Sequence, residues 1–276
     1  MGPERDPRNR SFEWSVPAGP FRRIDAEQAR SWHEEGYFLL EGAFDAATVA
    51  EVARAIDPVE AKVSEFLRGR PGGKVSIAED GNITFTTHLV LRSPVLRAFC
   101  AHAVFQDLGH DLIGPDVRLY WDQAVYKKPE RPGVFPWHQD NGYTYVEPQQ
   151  YLTCWVALTD ATVANGCPWV VPGLHRLGTL RHWSTEAGWQ CLDEPEGAVP
   201  VEARAGSIVV FSSLTPHRTG PNVSQGVRKA YIVQFAPDGA EALRDGGREP
   251  QNDPARQFPV LRSGRPLAPP ELARAS

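Results

Sequence analysis

The chain has 276 residues, of which 41% are hydrophobic and 23% charged, and it carries a net charge of -5. These proportions fit a globular protein with one sizeable core and argue against a nucleic-acid partner, which would select a basic face. No apolar run approaches the roughly 20 residues a membrane helix needs, and Met1-Gly2-Pro3-Glu4-Arg5-Asp6 lacks the apolar stretch of a secretory leader.

Residues 1–20, rich in Pro, Arg and Gly, read as a loosely held arm. Asp25 followed by Gln28 forms a capping-box pattern, so a helix is predicted to run to about Glu35, where Gly36 stops it. Tyr37-Phe38-Leu39-Leu40 is a short strand candidate. Asp45 caps a long helix carrying Val49, Val52, Ala53 and Ile56 at helical spacing, and Pro58 is expected to kink or split it. Ile83 to His88 alternates like a strand or extended loop. Ser93-Pro94 opens another helix through Phe99 toward Leu112.

From Val117 the pattern changes to short β-rich runs at 117–126, 151–159, 168–171, 206–211 and 229–235, separated by Pro, Gly and Asn. Many short strands with turn signals predict an all-β sandwich or barrel. In the first run Leu119, Trp121, Gln123 and Val125 share one face, and Tyr120, Asp122, Ala124 and Tyr126 the other. The polar segment after Pro237 is expected to wrap the surface or be partly disordered. The division expected is an arm (1–20), one domain (21–237) and a tail (238–276); the domain has a helical annex about 25–113 and a β core about 117–237. None of the cysteines (Cys100, Cys154, Cys167, Cys191) forms a CxxC pair, so they read as reduced thiols of a cytoplasmic protein.

The chemistry-bearing residues are His138 and Asp140, in Trp137-His138-Gln139-Asp140, with His217 far downstream. In an extended segment, residues two apart project to one side. Two imidazoles and one carboxylate can occupy one face of an iron(II) ion and leave the opposite positions open for a co-substrate and O2. His217 follows the apolar strand Ile208-Val209-Val210-Phe211, the setting of a preorganised ligand. Arg228, at the start of the strand 229–235, suits a two-pronged grip on a carboxylate beside the metal, and the Thr219 hydroxyl can add a hydrogen bond. A zinc hydrolase or a cupin-like metal protein without catalysis would fit the three ligands, but neither accounts for Arg228.

These residues resemble the phytanoyl-CoA dioxygenase family of iron(II)/2-oxoglutarate oxygenases. The resemblance spans roughly residues 25–237 and rests on His138-Gln139-Asp140, Trp155-Val156-Ala157-Leu158, Asn165-Gly166-Cys167-Pro168 through Pro172-Gly173-Leu174-His175, His217-Arg218-Thr219-Gly220, and Arg228. Leu174 stands where the family usually has Ser. The resemblance implies a mainly β fold with flanking α, a double-stranded β-helix (jelly-roll, cupin-like) barrel with N-terminal helices packed on one side. It implies that His138, Asp140 and His217 bind iron, that Arg228 and Thr219 hold the far carboxylate of 2-oxoglutarate, and that Trp155 and Gln123 touch the cosubstrate. The carboxylate of Asp140 makes hydroxylation, rather than halogenation, the expected outcome.

The expected activity is hydroxylation of a mid-sized small molecule, with succinate and CO2 released and ascorbate supportive; desaturation, epoxidation and an acyl-CoA substrate remain alternatives. The candidate substrate walls are Phe85, Thr87, His88, Trp137, Tyr143, Tyr145 and Trp169, with Gln139 a further contact. Arg176, Arg181 and His182 read as a solvated basic loop able to meet a substrate anion. The expected partner is a small molecule alone, without nucleic acid or membrane, and the protein is expected to act as a monomer or homodimer.

Overall fold

The computed structural model describes residues 2–244 and 246–272; Met1, Asp245 and the end of the expected tail (273–276) lie outside the described residues. Helix α1 (Ala26–Glu34) starts with the expected reciprocal cap: the Asp25 carboxylate accepts from Gln28 N at 2.8 Å, and the Gln28 side-chain oxygen accepts from Asp25 N at 3.2 Å. Strand β1 (Tyr37–Leu40) and helix α2 (Ala46–Arg68) follow. Pro58 lies inside α2 without splitting it. A proline removes one backbone donor, and the stripe Val52, Ile56 and Leu67, buried along the helix, holds the rest in place. Strand β2 (Ile83–Thr87) precedes helices α3 (Pro94–Cys100) and α4 (Ala103–Leu112). The single helix expected there is therefore two, because His102 caps the second: its Nδ1 accepts from Val104 N at 3.2 Å.

The strands that build the two main sheets and their edge continue with β3 (Val117–Lys127), β4 (Phe135–His138), β5 (Leu152–Ala157), β6 (Pro168–Val170), β7 (Val199–Pro200), β8 (Ile208–Ser212), β9 (His217–Thr219), β10 (Arg228–Pro237) and β11 (Pro259–Arg262). The larger sheet runs β1-β8-β5-β10-β3-β2 and ends in the short strands Ala78–Glu79 and Lys74–Val75; the smaller runs β7-β6-β9-β4, and the pairing is antiparallel throughout. Val209, Phe211, Trp155, Ala230 and Ile232 of the larger sheet meet Phe135 and Val170 of the smaller in one core cluster. The alternate residues Ile208, Val210, Cys154, Val156, Tyr231 and Val233 pack with Trp32, Ile56, Leu96 and Phe105 of the helices in another. The period of two thus sends one set of side chains between the sheets and the other under the helices. This is the jelly-roll architecture expected, with helices on one side.

Three details correct the sequence reading. First, β3 does not alternate cleanly. Gln234 pairs with Trp121 and Phe235 with Leu119, so Tyr120 is an extra residue in a β-bulge. Leu119 therefore joins the helix-side core, while Tyr120 and Trp121 both line an inner cavity. Second, the chain after Pro237 does more than wrap the surface. Strand β11 pairs with β3, and Phe258, Val260 and Leu261 belong to the helix-side core. Third, the N-terminal arm is tied down: Asp6 N donates to Thr179 O at 2.9 Å, Asn9 Nδ2 to Leu177 O at 2.8 Å, and Trp14 packs on His175 at 4.4 Å between ring centroids.

Candidate active site

Strands β4 and β9 are neighbours in the smaller sheet, and their register sets His217 directly opposite His138. Gln139 keeps an extended backbone (φ -109°, ψ 144°), so Asp140, which opens a short helical turn, still projects beside His138. The two imidazole centroids are 4.1 Å apart. Asp140 Oδ1 lies 4.0 Å from His138 Nε2 and 3.8 Å from His217 Nε2. All three ligand atoms fall within 4.8 Å of one another.

The surroundings of each ligand fix its chemical form. His138 Nδ1 is 2.9 Å from Pro136 O and His217 Nδ1 is 3.0 Å from Thr215 O. A carbonyl can only accept, so each Nδ1 carries the proton and each Nε2 turns its lone pair inward. Burial pushes the His138 imidazole down to about 3 and His217 to about 4, so both are neutral near pH 7. Asp140 Oδ2 accepts from Thr153 Oγ1 at 2.6 Å, and Gln234 Nε2 donates to that hydroxyl at 3.3 Å. One carboxylate oxygen is thus held by the fold, and Oδ1 faces the imidazoles. This donor set of two neutral nitrogens and one oriented oxygen fits iron(II).

Arg228 is fully buried at the start of β10, across from Lys127 of β3. Its Nη1 donates to Val125 O at 3.2 Å and its guanidinium lies 5.0 Å from the centre of the Trp155 ring. Among the described residues its Nε and Nη2 have no hydrogen-bond partner, and neither does the buried Thr219 Oγ1. Among the described residues no acidic side chain pairs with Arg228, and burial pulls its guanidinium down to about 9. Two orphaned donors on a buried cation, with an orphaned hydroxyl in the same interior, suit the far carboxylate of a keto acid. Trp155, Thr219, Gln123 and the triad line a narrow recess of about 50 Å3.

A wider cavity of about 370 Å3 shares Phe85, Gln123, Phe135, His138 and Asp140 with that recess. Of the candidate substrate walls, Phe85, Thr87 and Tyr143 line it, and Gln123, the candidate cosubstrate contact, lines both spaces. His88 does not line it but packs on Trp121, which does, at 4.3 Å between centroids. Trp137, Tyr145 and Trp169 line neither space: Trp137 and Trp169 flank the Arg218 guanidinium, and Tyr145 lies under Arg8. Gln139 is a correction. As the residue between two ligands it faces away from the cavity, donating to Gly178 O (3.0 Å) and Leu214 O (2.6 Å) and accepting from Leu180 N (2.6 Å). A larger groove of about 780 Å3, between the arm and the segments 110–114 and 147–150, contains none of the triad.

Sequence reasoning missed four residues. Thr153 and Gln234 orient Asp140, but nothing in their apolar strands marks them. His182, read as solvated, is half-buried; its Nε2 accepts from Gln139 N at 3.0 Å, and a methyl at Gly142 would overlap its ring. Arg181 beside it pairs with Glu4 at the surface. Lys127, almost fully buried, donates to Gly133 O at 2.6 Å, to Thr219 O at 3.3 Å and to Gly220 O, clamping the strand that carries Thr219. Gly166 (φ +84°) makes room for this clamp, since a Cβ there would meet Gly220 O at 2.5 Å. The Asn165-Gly166-Cys167 motif thus has a steric basis.

A jelly roll that brings two histidines and an aspartate together, with a buried arginine that has no acidic partner among the described residues, defines an iron(II)/2-oxoglutarate-dependent oxygenase. Residues 32–230 match the phytanoyl-CoA dioxygenase (PhyH) family, and the chain belongs to it. It is 28% identical over 159 residues to an Arabidopsis thaliana phytanoyl-CoA dioxygenase, covering 55% of this chain and 56% of that protein. It is 24% identical to the mouse (Mus musculus) phytanoyl-CoA dioxygenase domain-containing protein 1, covering 87% and 99%. An ectoine dioxygenase of Bordetella parapertussis is 27% identical, covering 77% and 75%. Among solved structures the fold is similar to the alpha-ketoglutarate-dependent carbocyclase SnoK of nogalamycin biosynthesis (TM-score 0.68, 22% identity, 88% of this chain and 100% of that one). EvdO2 of Micromonospora carbonacea, solved with 2-oxoglutarate, superposes with a TM-score of 0.59 at 25% identity, covering 84% and 97%.

Proposed function

We propose that this oxygenase hydroxylates an unactivated C–H bond of a mid-sized, partly apolar small molecule, coupled to conversion of 2-oxoglutarate and O2 into succinate and CO2. His138, Asp140 and His217 hold iron(II), which supplies the activation of O2. Arg228 and Thr219 hold the far carboxylate of 2-oxoglutarate, with Trp155 and Gln123 as walls. The fold's own contribution is placement. Two backbone carbonyls set the imidazole tautomers, Thr153 turns Asp140 Oδ1 toward the histidines, and the buried recess excludes water from the cosubstrate.

The observation that carries this reading is the pair of unpartnered N–H groups on Arg228. A buried cation left without an anion is unfavourable, and a scaffold or a hydrolase needs no such group. We place the protein in the cytoplasm, working on small molecules as a monomer or homodimer, with ascorbate keeping the iron reduced. The test is 2-oxoglutarate turnover with iron(II) and ascorbate under air, alone and with candidate substrates, followed by mass spectrometry. We expect iron-dependent succinate formation and products heavier by one oxygen atom. His138→Ala, Asp140→Ala and His217→Ala should each abolish both. Full activity in any of these variants would refute the assignment.

A further inference from the structure

The family name points to a coenzyme A thioester, but the wider cavity has no means of binding one. We infer that its ligand is a neutral, ring-bearing molecule with hydroxyl or carbonyl oxygens, and that carboxylates, amines and acyl-CoA thioesters are excluded. This rests on the reading that the cavity is the substrate side of the oxygenase centre.

The first observation is charge. The cavity wall contains no lysine or arginine, and Asp140 is its one carboxylate, already committed to Thr153 and the histidines. Cations near the outer wall are paired: Arg256 with Asp253 at 3.2 Å and Arg244 with Glu249 at 2.7 Å, both close enough to act on Tyr120, and Arg131 with Glu79 at 3.5 Å beside the lining residue Ala78; Arg228 does not line this cavity and is reserved for 2-oxoglutarate. Lys74 donates to Glu186 O at 3.2 Å. An anion entering this space would lose its hydration and find no counter-charge, and an ammonium would fare no better.

The second observation is what the wall does offer. Phe85, Trp121, Phe135 and Tyr143 present ring faces and edges, a surface suited to flat or cyclic molecules. Between them stand two amides with half their capacity unused. Gln123 Oε1 accepts from Trp121 Nε1 at 3.2 Å, which leaves Gln123 Nε2 without a partner among the described residues. Gln234 Nε2 is committed to Thr153, which leaves its oxygen similarly without one. Gln123 can therefore donate to a ligand carbonyl or ether, and Gln234 can accept from a ligand hydroxyl. The Thr87 hydroxyl adds a third neutral group. Aromatic walls with uncharged donors and acceptors select a neutral oxygenated ring.

The experiment compares two naphthalene dyes that differ in charge: prodan, a neutral ketone, and ANS, a sulfonate. Their fluorescence is titrated with the anaerobic enzyme loaded with iron(II) and 2-oxoglutarate, and again with the metal-free protein. The metal-free arm separates this inference from the oxygenase reading, because loss of turnover leaves it interpretable. We expect prodan to bind about tenfold or more tightly than ANS in both arms. Gln123→Lys should narrow or reverse that ratio by supplying a counter-charge. Thr87→Trp, which fills the cavity, should remove the prodan signal; Ala78→Trp serves the same purpose if that variant does not fold. Failure of prodan to bind, equal or tighter binding of ANS, or prodan binding that survives the filled cavity would overturn the inference.

Discussion

Replacing Arg228 by methionine separates the cost of a buried cation from its use. In the ligand-free protein the guanidinium is fully buried with one hydrogen bond, to Val125 O, and the Trp155 ring beside it. The ring offsets about 0.5–2 kcal/mol of its desolvation, whereas replacing even paired buried charges by well-packed apolar side chains is neutral or stabilising by about 1–4 kcal/mol, and this cation has no acidic partner among the described residues. Arg228→Met should therefore stabilise the ligand-free protein by about 1–2 kcal/mol, a melting rise of about 2–8 °C for a chain of this size. The same change removes the donors Nε and Nη2 that await an anion. Two charge-assisted hydrogen bonds at about 1.5–3 kcal/mol each predict 2-oxoglutarate binding weaker by roughly two to four powers of ten. The assay is thermal melting, with and without a divalent metal and 2-oxoglutarate, alongside calorimetric titration. The native protein should gain stability on adding ligand, while the variant should start higher and gain little. A variant that melts lower without ligand, or that keeps the full ligand-dependent rise, would refute the reasoning.

Three further outcomes are expected. Thr153→Val keeps the side-chain shape but leaves Asp140 Oδ2 without its 2.6 Å hydrogen bond; iron affinity measured by chelator competition should fall by about 10–100-fold, the usual effect of losing a group that orients a ligand. Burial and the Arg228 charge hold the Lys127 ammonium down to about 7. The unfolded chain therefore binds the extra proton between that pH and its ordinary value near 10.4, and Lys127 makes stability rise with pH across this window by up to about 1.4 kcal/mol per unit. Lys127→Met should remove that rise in denaturant titrations at pH 7 to 10, and an unchanged pH slope would count against it. Gly166→Ala places a Cβ 2.5 Å from Gly220 O at a left-handed position. It should destabilise the fold by about 2 kcal/mol or more and raise the KM for 2-oxoglutarate by displacing Thr219; a variant with native melting and KM would contradict the packing argument.

Much of the architecture was legible because β5, β8 and β10 are buried on both faces and read as continuous apolar runs. The bulge at Tyr120 was not: an alternating pattern through 117–126 fits either face, and only pairing with β10 reveals the extra residue. The tail was misjudged through its polar composition, although Phe258, Val260 and Leu261 form an apolar group within it that ends in the core. In the site, His138, Asp140, His217 and Arg228 stood out because their residue types are needed for the chemistry. Gln139 is a candidate contact in the sequence, yet alternation already sends the residue between two ligands to the opposite side. Thr153, Gln234, Lys127 and His182 act only through contacts between distant strands and loops, and local pattern does not encode those.

The most direct measurement is an anaerobic crystal structure of the protein with iron(II) and 2-oxoglutarate. It should show one ion bonded at about 2.0–2.2 Å to His138 Nε2, His217 Nε2 and Asp140 Oδ1, with the far carboxylate of the keto acid on Arg228 and Thr219. An ion bound elsewhere, or a keto acid whose far carboxylate leaves Arg228 unpaired, would contradict the account.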